Sequence, residues 1–369
     1  MTEPEPTPWQ GLLSPDGFSS TEPRHFRLVR RSGEPFLLLP FQSKAARRGL
    51  DLYPAQTSKA RLLRGVLSSL LSVGLAPGAQ PASVEVAPDS PLVRFLCAGQ
   101  RWADLQLAML LGNPRAPGRR FVALIMDAQG TPLHIVKAGM NEQAVMLIQQ
   151  EAAFLKSHSS ERLHSPQLRG VLSDKTISAI SLCYAAGQPP RAGSDTVLRE
   201  ILGGWLNSGT QLHFSTLPHA QQLLASTGLA AAERRLLARL DSRPIASAIH
   251  HGDFAPWNIR AAAASGRWTV LDWERGEPQG PPAWDWFHFR VQPAVLVERL
   301  QPEAVLARLE SAIEQPIFQA YAKAACIEGL ERELLLAYLL HAREVIRQTE
   351  GTETIRAMAN LLASRLKPD

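Results

Sequence analysis

Cysteine is scarce in this chain. Cys97, Cys183 and Cys326 are its only three, odd in number and far apart. That spacing fits neither a disulfide framework nor a zinc site, and it implies a reducing, cytoplasmic compartment. Long hydrophobic runs are missing too. None approaches the ~18 residues of a membrane span, so no membrane is expected among the partners. The opening MTEPEPTPWQ is acidic and proline-rich, the wrong chemistry for a signal or transit peptide. Charge of one sign is not dominant: 39 Lys plus Arg face 34 Asp plus Glu, a net +5. The excess reads as mild and spread out. Its densest patches, Arg30-Arg31, Arg47-Arg48 and Arg119-Arg120, lack the interleaved aromatics of a nucleic-acid stripe, so no nucleic acid is expected. Neither GxGxxG nor GxxxxGK[ST], the usual phosphate-cradling glycine patterns, occurs.

What is present is enough for more than one core. At 369 residues, with 45% hydrophobic and 20% charged residues, the chain is a globular protein of two or more domains. Residues 1–23, rich in Pro, Ser and Glu, read as a disordered tail. HFRLVRRSGEPFLLLP reads as two strands around a Ser32-Gly33 turn, the stretch from Ser58 to Gly74 as a helix, and residues 76–91 as a proline-rich connector. Residues 24–95 thus look like a separate accessory α/β unit. Three strand-like stretches follow, DLQLAMLLG, RRFVALIMD and PLHIVKAG, then a helix from Glu142 to Lys156 and a strand in TISAISLCYAAG. The remainder is mostly helical.

The helical part holds the most informative stretch, HGDFAPWN (251–258), with VLDWE (270–274) after it. Between them Ser265-Gly266 marks a turn between two extended arms. Asn258 lies seven residues before Ser265 and Asp272 seven after it. A register centred there places the two side chains opposite each other, about 4.5–5.5 Å apart at Cβ. An amide oxygen and a carboxylate so placed share one hard cation such as Mg²⁺. A slip of one residue turns one of them away. Asp253, just upstream, is then a candidate to accept or orient the proton of an attacking hydroxyl. An isolated DxxxxN reads as turn caps; the hairpin arithmetic and the second acidic stretch shift the reading to a site. His251 reads as a packing residue bonded to the loop backbone. Glu274 is open between metal ligand, acceptor contact and surface. Asp285, between two tryptophans, reads as a cap or loop brace.

A second constellation lies upstream. Alternation in PLHIVKAG puts Leu133, Ile135 and Lys137 on one strand face, which implies an inward ammonium in need of a partner. In the next helix, Glu151 falls on the apolar stripe of Ala144, Ile148 and Leu155. A Lys137–Glu151 ion pair is expected, with Lys137 free to touch a phosphate. In LGNPRAPGRRF, Gly112 and Gly118 allow close backbone approach to a polyphosphate, and Arg119 adds charge; a plain hairpin loop explains the same residues.

Together HGDFAPWN, VLDWE, Lys137 in HIVKAG and Glu151 in QQEAAFLK resemble the aminoglycoside phosphotransferase and choline kinase family. The resemblance covers about residues 96–369. It implies an α+β, bilobal protein-kinase-like fold: a small β-rich N-lobe (96–181), a hinge (182–187) and a helical C-lobe (188–369), with the accessory unit outside it. It implies ATP and Mg²⁺ as cofactors, and transfer of the γ-phosphoryl to a hydroxyl of a small molecule. Asp253 then resembles the catalytic Asp, Asn258 and Asp272 the magnesium ligands, and Lys137 the phosphate contact held by Glu151. Backbone groups of Cys183 and Ala185 would meet the adenine edge. Only RGEPQGPPA separates LDWE from WDWFHF, too short for a peptide-docking platform, so a protein acceptor is not expected. The other class of function in view is a nucleotide-binding pseudoenzyme serving as a regulatory or scaffold subunit.

Overall fold

The computed structural model describes residues 10–15, 18, 20–53, 55–113, 116–174, 176–190, 194–346 and 351–366. Most of the expected tail (residues 1–9, 16, 17 and 19) lies outside them. The chain divides into two compact units: Met1–Ser160 with Pro166–Ala186, and Glu161–Ser165 with Gly187–Asp369. The boundary at Ala186 falls inside the stretch read as a hinge. The first unit is rich in strands and the second in helices, an α+β chain.

The first unit is organised by one antiparallel sheet. Its strands are β1 (Glu22–Arg31), β2 (Glu34–Pro40), β3 (Ala79–Val86), β4 (Gln106–Leu110), β5 (Arg120–Met126), β6 (Pro132–Gly139), β7 (Leu168–Ser173) and β8 (Ser178–Cys183), in the order β3-β1-β2-β4-β5-β6-β8-β7. The β1–β2 hairpin turns at Ser32 and Gly33, both at positive φ, as a two-residue turn matched to strand twist requires. β2 buries both of its faces. Leu37 and Leu39 join a core with Ala45, Leu71, Ala108 and Leu124, while Leu38 joins another with Phe26, Val84, Leu107, Phe121 and Val136. Helices α1 (Gln10–Leu13), α2 (Ser43–Gly49), α3 (Ser58–Ser72) and α4 (Pro91–Cys97) add residues to these cores.

This corrects three expectations. Residues 24–95 are not a separate unit, because β2 pairs with β4 through Leu37↔Leu110 and Leu38↔Met109 and one sheet runs through both segments. Residues 76–91 are not merely a connector, since β3 crosses them. Its Pro81 is tolerated because β3 is an edge strand, where a missing N–H breaks no ladder. Within 1–23, the short helix α1 packs inward, with Leu12 and Leu13 buried and the Leu13 carbonyl accepting the Ala87 N–H at 2.9 Å.

Helix α5 (Glu142–Ser157) starts at an Asn141 cap, whose side chain accepts the Ala144 N–H. It begins against the end of β6, so closely that a Cβ at Gly139 would sit 2.7 Å from Ala144 backbone. That approach fixes which face of α5 looks at β6.

The second unit packs α6 (Ser160–Leu163), whose first residue belongs to the other unit, α7 (Asp195–Gly204), α8 (Pro218–Leu224), α9 (Ala231–Ala238), α10 (Trp284–Gln292), α11 (Pro302–Ile313), α12 (Pro316–Ala324), α13 (Glu331–His341) and α14 (Thr352–Arg365) around two small sheets. One sheet has the order β13-β10-β9, from β9 (Leu206–Leu212), β10 (Ile245–His250) and β13 (Glu277–Gly280). The other is the hairpin of β11 (Ile259–Ala261) and β12 (Trp268–Val270). Trp205, Trp273, Trp284, Trp286, Phe254, Phe287 and Phe318 are fully buried. Helix α13 is buried on every side except at Arg332, as its run ELLLAYLL requires of a central helix. It carries Tyr338 and His341 inward. Among the described residues, no helix is long and apolar enough to cross a membrane.

Candidate active site

The loop after β10 carries Asp253. Its shape is fixed by Gly252 and by the buried side chains of Asp285 and His251. Gly252 has φ 80°, and a Cβ there would sit 2.8 Å from the Arg275 side chain, so this position has room only for glycine. Asp285, in the first turn of α10, accepts the backbone N–H of His251 at 2.7 Å and of Gly252 at 3.3 Å. His250 Nδ1 lies 3.4 Å from the same carboxylate. Burial alone would raise the Asp285 pKa, but His250 and these amide donors outweigh it and hold the group down at about 2. The expected loop brace is therefore what the structure builds.

His251 is fully buried. Its Nε2 donates to the Leu271 carbonyl at 2.9 Å, and its Nδ1 accepts the Asp253 N–H at 3.2 Å. The two bonds select one neutral tautomer. Burial keeps the ring from charging, against the pull of Asp285, Asp253 and Asp272. Trp273 packs on it with ring centroids 4.6 Å apart. His251 thus ties the Asp253 loop to the strand leading into Asp272.

The Asp253 carboxylate is about a third exposed. One oxygen, Oδ2, accepts Asn258 Nδ2 at 3.0 Å, and the same amide nitrogen reaches the Asp253 carbonyl at 2.9 Å. The other oxygen, Oδ1, accepts His288 Nε2 at 3.1 Å. His288 Nδ1 lies 3.1 Å from the Tyr338 hydroxyl, which in turn is hydrogen-bonded by the side chain of Gln292. With Gln292 donating, the tyrosine proton points to His288 Nδ1, which leaves Nε2–H to face Asp253. Burial raises the Tyr338 pKa well above its ordinary value, so the phenol stays protonated. The chain Gln292–Tyr338–His288–Asp253 is a polarised set of donors ending on the candidate catalytic carboxylate.

His288, Tyr338 and Gln292 were absent from the sequence expectations. Asp285, His288 and Gln292 recur at helical spacing along WDWFHFRVQ, which puts polar side chains on one face of an aromatic-rich helix. That periodicity was the available signal. Tyr338 lay in an apolar run and gave none.

The hairpin corrects the expected register. Ile259 pairs with Val270, Arg260 with Thr269 and Ala261 with Trp268. Ala262 and Arg267 close the loop, leaving four residues between them with Gly266 at φ 65°. A loop of four, rather than one centred on Ser265, shifts the ladder by one residue. Asn258 is therefore bonded through its carbonyl to the N–H of Leu271, at 2.7 Å, and does not stand opposite Asp272. Asp272 leaves the strand at φ 70°, a left-handed conformation rare for a residue with a Cβ and often found at functional sites. Its carboxylate is close enough to act on His251. Glu274 is half-buried, beyond the buried Trp273.

In the first unit, Lys137 and Glu151 form the expected pair. The ammonium straddles the carboxylate at 2.7 and 2.8 Å, and Glu151 is only 1% exposed. Arg119 is committed elsewhere: Nε donates to the Leu111 carbonyl at 2.7 Å, and the guanidinium lies 5.1 Å above Phe121. It braces the β4–β5 loop, of which Pro114 and Arg115 lie outside the described residues. At the expected adenine edge, the Cys183 N–H already donates to the Gln167 carbonyl at 2.9 Å, which removes that donor from the expected contacts. Ala185 follows, half-buried.

Behind the loop sits a histidine cluster. His219 of α8 packs on His250 with centroids 4.6 Å apart and on His341 at 5.4 Å, and Trp284 packs against His341 at 4.9 Å. Burial, with repulsion from His250, lowers His219 to about 3 and His341 to about 4. In the unfolded chain both titrate near 6.5. Below that pH the unfolded state takes up more protons, so stability is full above about 6.5 and declines as pH falls toward 4. Unfolding midpoints in urea, followed by tryptophan fluorescence, should fall over that window, and His341→Phe should flatten the decline. A wild-type midpoint unchanged between pH 7 and pH 4 would contradict the lowered pKa values of His219 and His341.

No protein-family model matches the chain, and no curated protein does. Solved structures do. A thermostable mutant of aminoglycoside phosphotransferase APH(4)-Ia, in ternary complex with ADP and hygromycin B, matches over 74% of this chain and 98% of its own, at 12% identity and TM-score 0.47. Choline kinase LicA from Streptococcus pneumoniae matches over 69% and 93%, at 15% identity and TM-score 0.39. A putative aminoglycoside phosphotransferase from Ralstonia eutropha matches over 66% and 87%, at 14% identity and TM-score 0.39. With TM-scores below 0.5, the case for a site rests on the side chains described above.

Proposed function

We propose that this protein is a kinase that moves the γ-phosphoryl group of ATP to a hydroxyl of a small molecule. The observation that carries the proposal is the Asp253 carboxylate, partly open to solvent, with each oxygen held by one side-chain donor. Such a carboxylate is fixed in direction and keeps lone pairs free. That suits a group that orients an acceptor hydroxyl and receives its proton as the bond to phosphorus forms.

The residues of the second unit also suit Mg²⁺. Asn258 spends its amide N–H groups on Asp253, which turns its Oδ1 away as a hard oxygen donor, and Asp272 offers a carboxylate just beyond the residue bonded to Asn258. Among the described residues, no three His, Cys, Asp or Glu side chains cluster to hold a metal. One amide oxygen and one carboxylate do not make such a cluster. Bound Mg²⁺ would neutralise phosphate charge. In the first unit, Lys137, its ammonium held by Glu151, is the residue we assign to a phosphate oxygen of the nucleotide. The Cys183 carbonyl and the backbone groups of Ala185 remain candidates for the base. Residues 277–280, inside the short stretch between LDWE and α10, are taken up by β13 in its pairing with β10. That leaves little chain for docking a peptide and favours a small acceptor.

ADP release by the purified chain with ATP and Mg²⁺, across sugars, amino alcohols and aminoglycosides, tests the reading. One of these classes should stimulate turnover, and Asp253→Ala and Asp272→Ala should each abolish the stimulation. Nucleotide binding with no turnover on any acceptor would point to the pseudoenzyme. If Mg²⁺-dependent nucleotide binding is also missing, the proposal is wrong.

A further inference from the structure

Helix α3 does not behave as a surface helix should. Its inner side is ordinary: Leu71 is fully buried, and Leu67 packs on the core that includes Leu39 and Ala45. Its outer side carries a row of large apolar side chains, interrupted by Ser69. Leu62 and Val73 are each 69% exposed, Leu63 58%, Val66 50%, and Leu75 just beyond the helix 57%. Leu62, Val66 and Val73 follow helical spacing, so these are one stripe. Single exposed leucines need no explanation, but a contiguous patch does.

The patch has a basic rim. Lys59 and Arg61 are exposed at the N-terminal end of the helix. Arg47 reaches its middle, with Nε 3.4 Å from Ser68 Oγ. Arg27 donates to the Gly74 carbonyl at 3.0 Å and lies 5.1 Å over the ring of Phe41, itself 48% exposed, at the other end. No acidic residue occurs between Asp51 and Glu85. Residues 41–76 carry six basic side chains against one acidic, a net +5, which equals the formal charge of the whole chain. The positive excess is therefore concentrated here, contrary to the spread expected from the sequence.

We infer that this face of the first unit docks on an anionic lipid surface. An apolar helical stripe flanked by Lys and Arg is the composition of a helix lying in a bilayer interface, where the stripe enters the acyl boundary and the basic groups meet the headgroups. A soluble partner would have to be apolar and acidic on one surface. The inference is independent of the kinase reading and gives the first 95 residues a task outside phosphoryl transfer. It requires no membrane-spanning segment.

The test is co-sedimentation of the full chain with phosphatidylcholine vesicles, with and without phosphatidylserine. Binding should need phosphatidylserine and should weaken about tenfold or more in high salt, which screens the attraction. Leu62→Glu/Val66→Glu should abolish it while leaving the melting curve in place, because both side chains already face water. Lys59→Ser/Arg61→Ser should weaken it about thirtyfold. No binding to the anionic vesicles overturns the inference. So does binding that survives Leu62→Glu/Val66→Glu. A dimer in solution that the same two substitutions dissociate would assign the face to a second copy of the chain, and would overturn it as well.

Discussion

Asp253→Ala should cost about 10²–10⁴ in turnover, the range for losing a positioned general base or hydroxyl-orienting group, with nucleotide affinity unchanged. The loop should survive, because its shape is set by Asp285, His251 and Gly252 rather than by the lost carboxylate. Asp253→Asn is the sharper variant. It keeps the volume, but an amide group cannot accept from both Asn258 Nδ2 and His288 Nε2, so one contact must break. His288→Gln separates positioning from chemistry. His288 acts through Asp253, so its loss should lower kcat roughly ten- to a hundredfold and leave the KM for ATP in place. A structural role alone would lower the melting temperature and leave the kcat of the folded fraction intact. Equal turnover in Asp253→Ala and the wild type would end the assignment of Asp253.

Lys137→Met should be the most destabilising single change in the first unit. Glu151 is 1% exposed, and its two oxygens lie 2.7 and 2.8 Å from the ammonium. Removing the lysine leaves a carboxylate in the core without its counter-charge, at a cost of about 3–5 kcal/mol. The stranded carboxyl escapes by taking up a proton, since burial alone pushes a carboxyl pKa up. The penalty should therefore be largest at neutral pH and shrink as pH falls. Lys137→Met/Glu151→Leu removes both charges and should recover most of the stability. Neither variant should bind nucleotide tightly. Hydrogen exchange of the β6 and α5 amides reports the opening of this unit residue by residue. Equal protection in Lys137→Met and the wild type would mean that the pair contributes no stability, and that the buried geometry has another cause.

How much of this was legible in the sequence divides along a physical line. Features set by neighbours in the chain were readable. The β1–β2 turn, the strands around Lys137, and Glu151 on the apolar stripe of α5 follow from periods of two and 3.6 residues. Asp285 as a loop brace follows from its place at a helix start. Features set by pairing at a distance were not. The union of β2 with β4 has no local signature, because a strand covered on both faces, like FLLLP, does not advertise its neighbours. The Asp253–His288 contact joins residues 35 positions apart, and nothing near either predicts it. The hairpin register failed for a subtler reason. Turn residues mark where a chain reverses, but loop length sets the ladder, and one residue of loop decides which side chains face each other. Asp272 takes its place through a left-handed backbone angle that no pattern of residue types discloses.

The seamless sheet has a practical consequence for anyone shortening this protein. The kinase-like resemblance starts near residue 96, and trimming to that point is tempting. A chain cut there would begin beside β4 with its outer ladder raw, and would bare Met109 on one side and Ala108 on the other where β2 and its helices had covered them. An open hydrophobic strand edge recruits the next molecule. The trimmed product should be sought in the pellet.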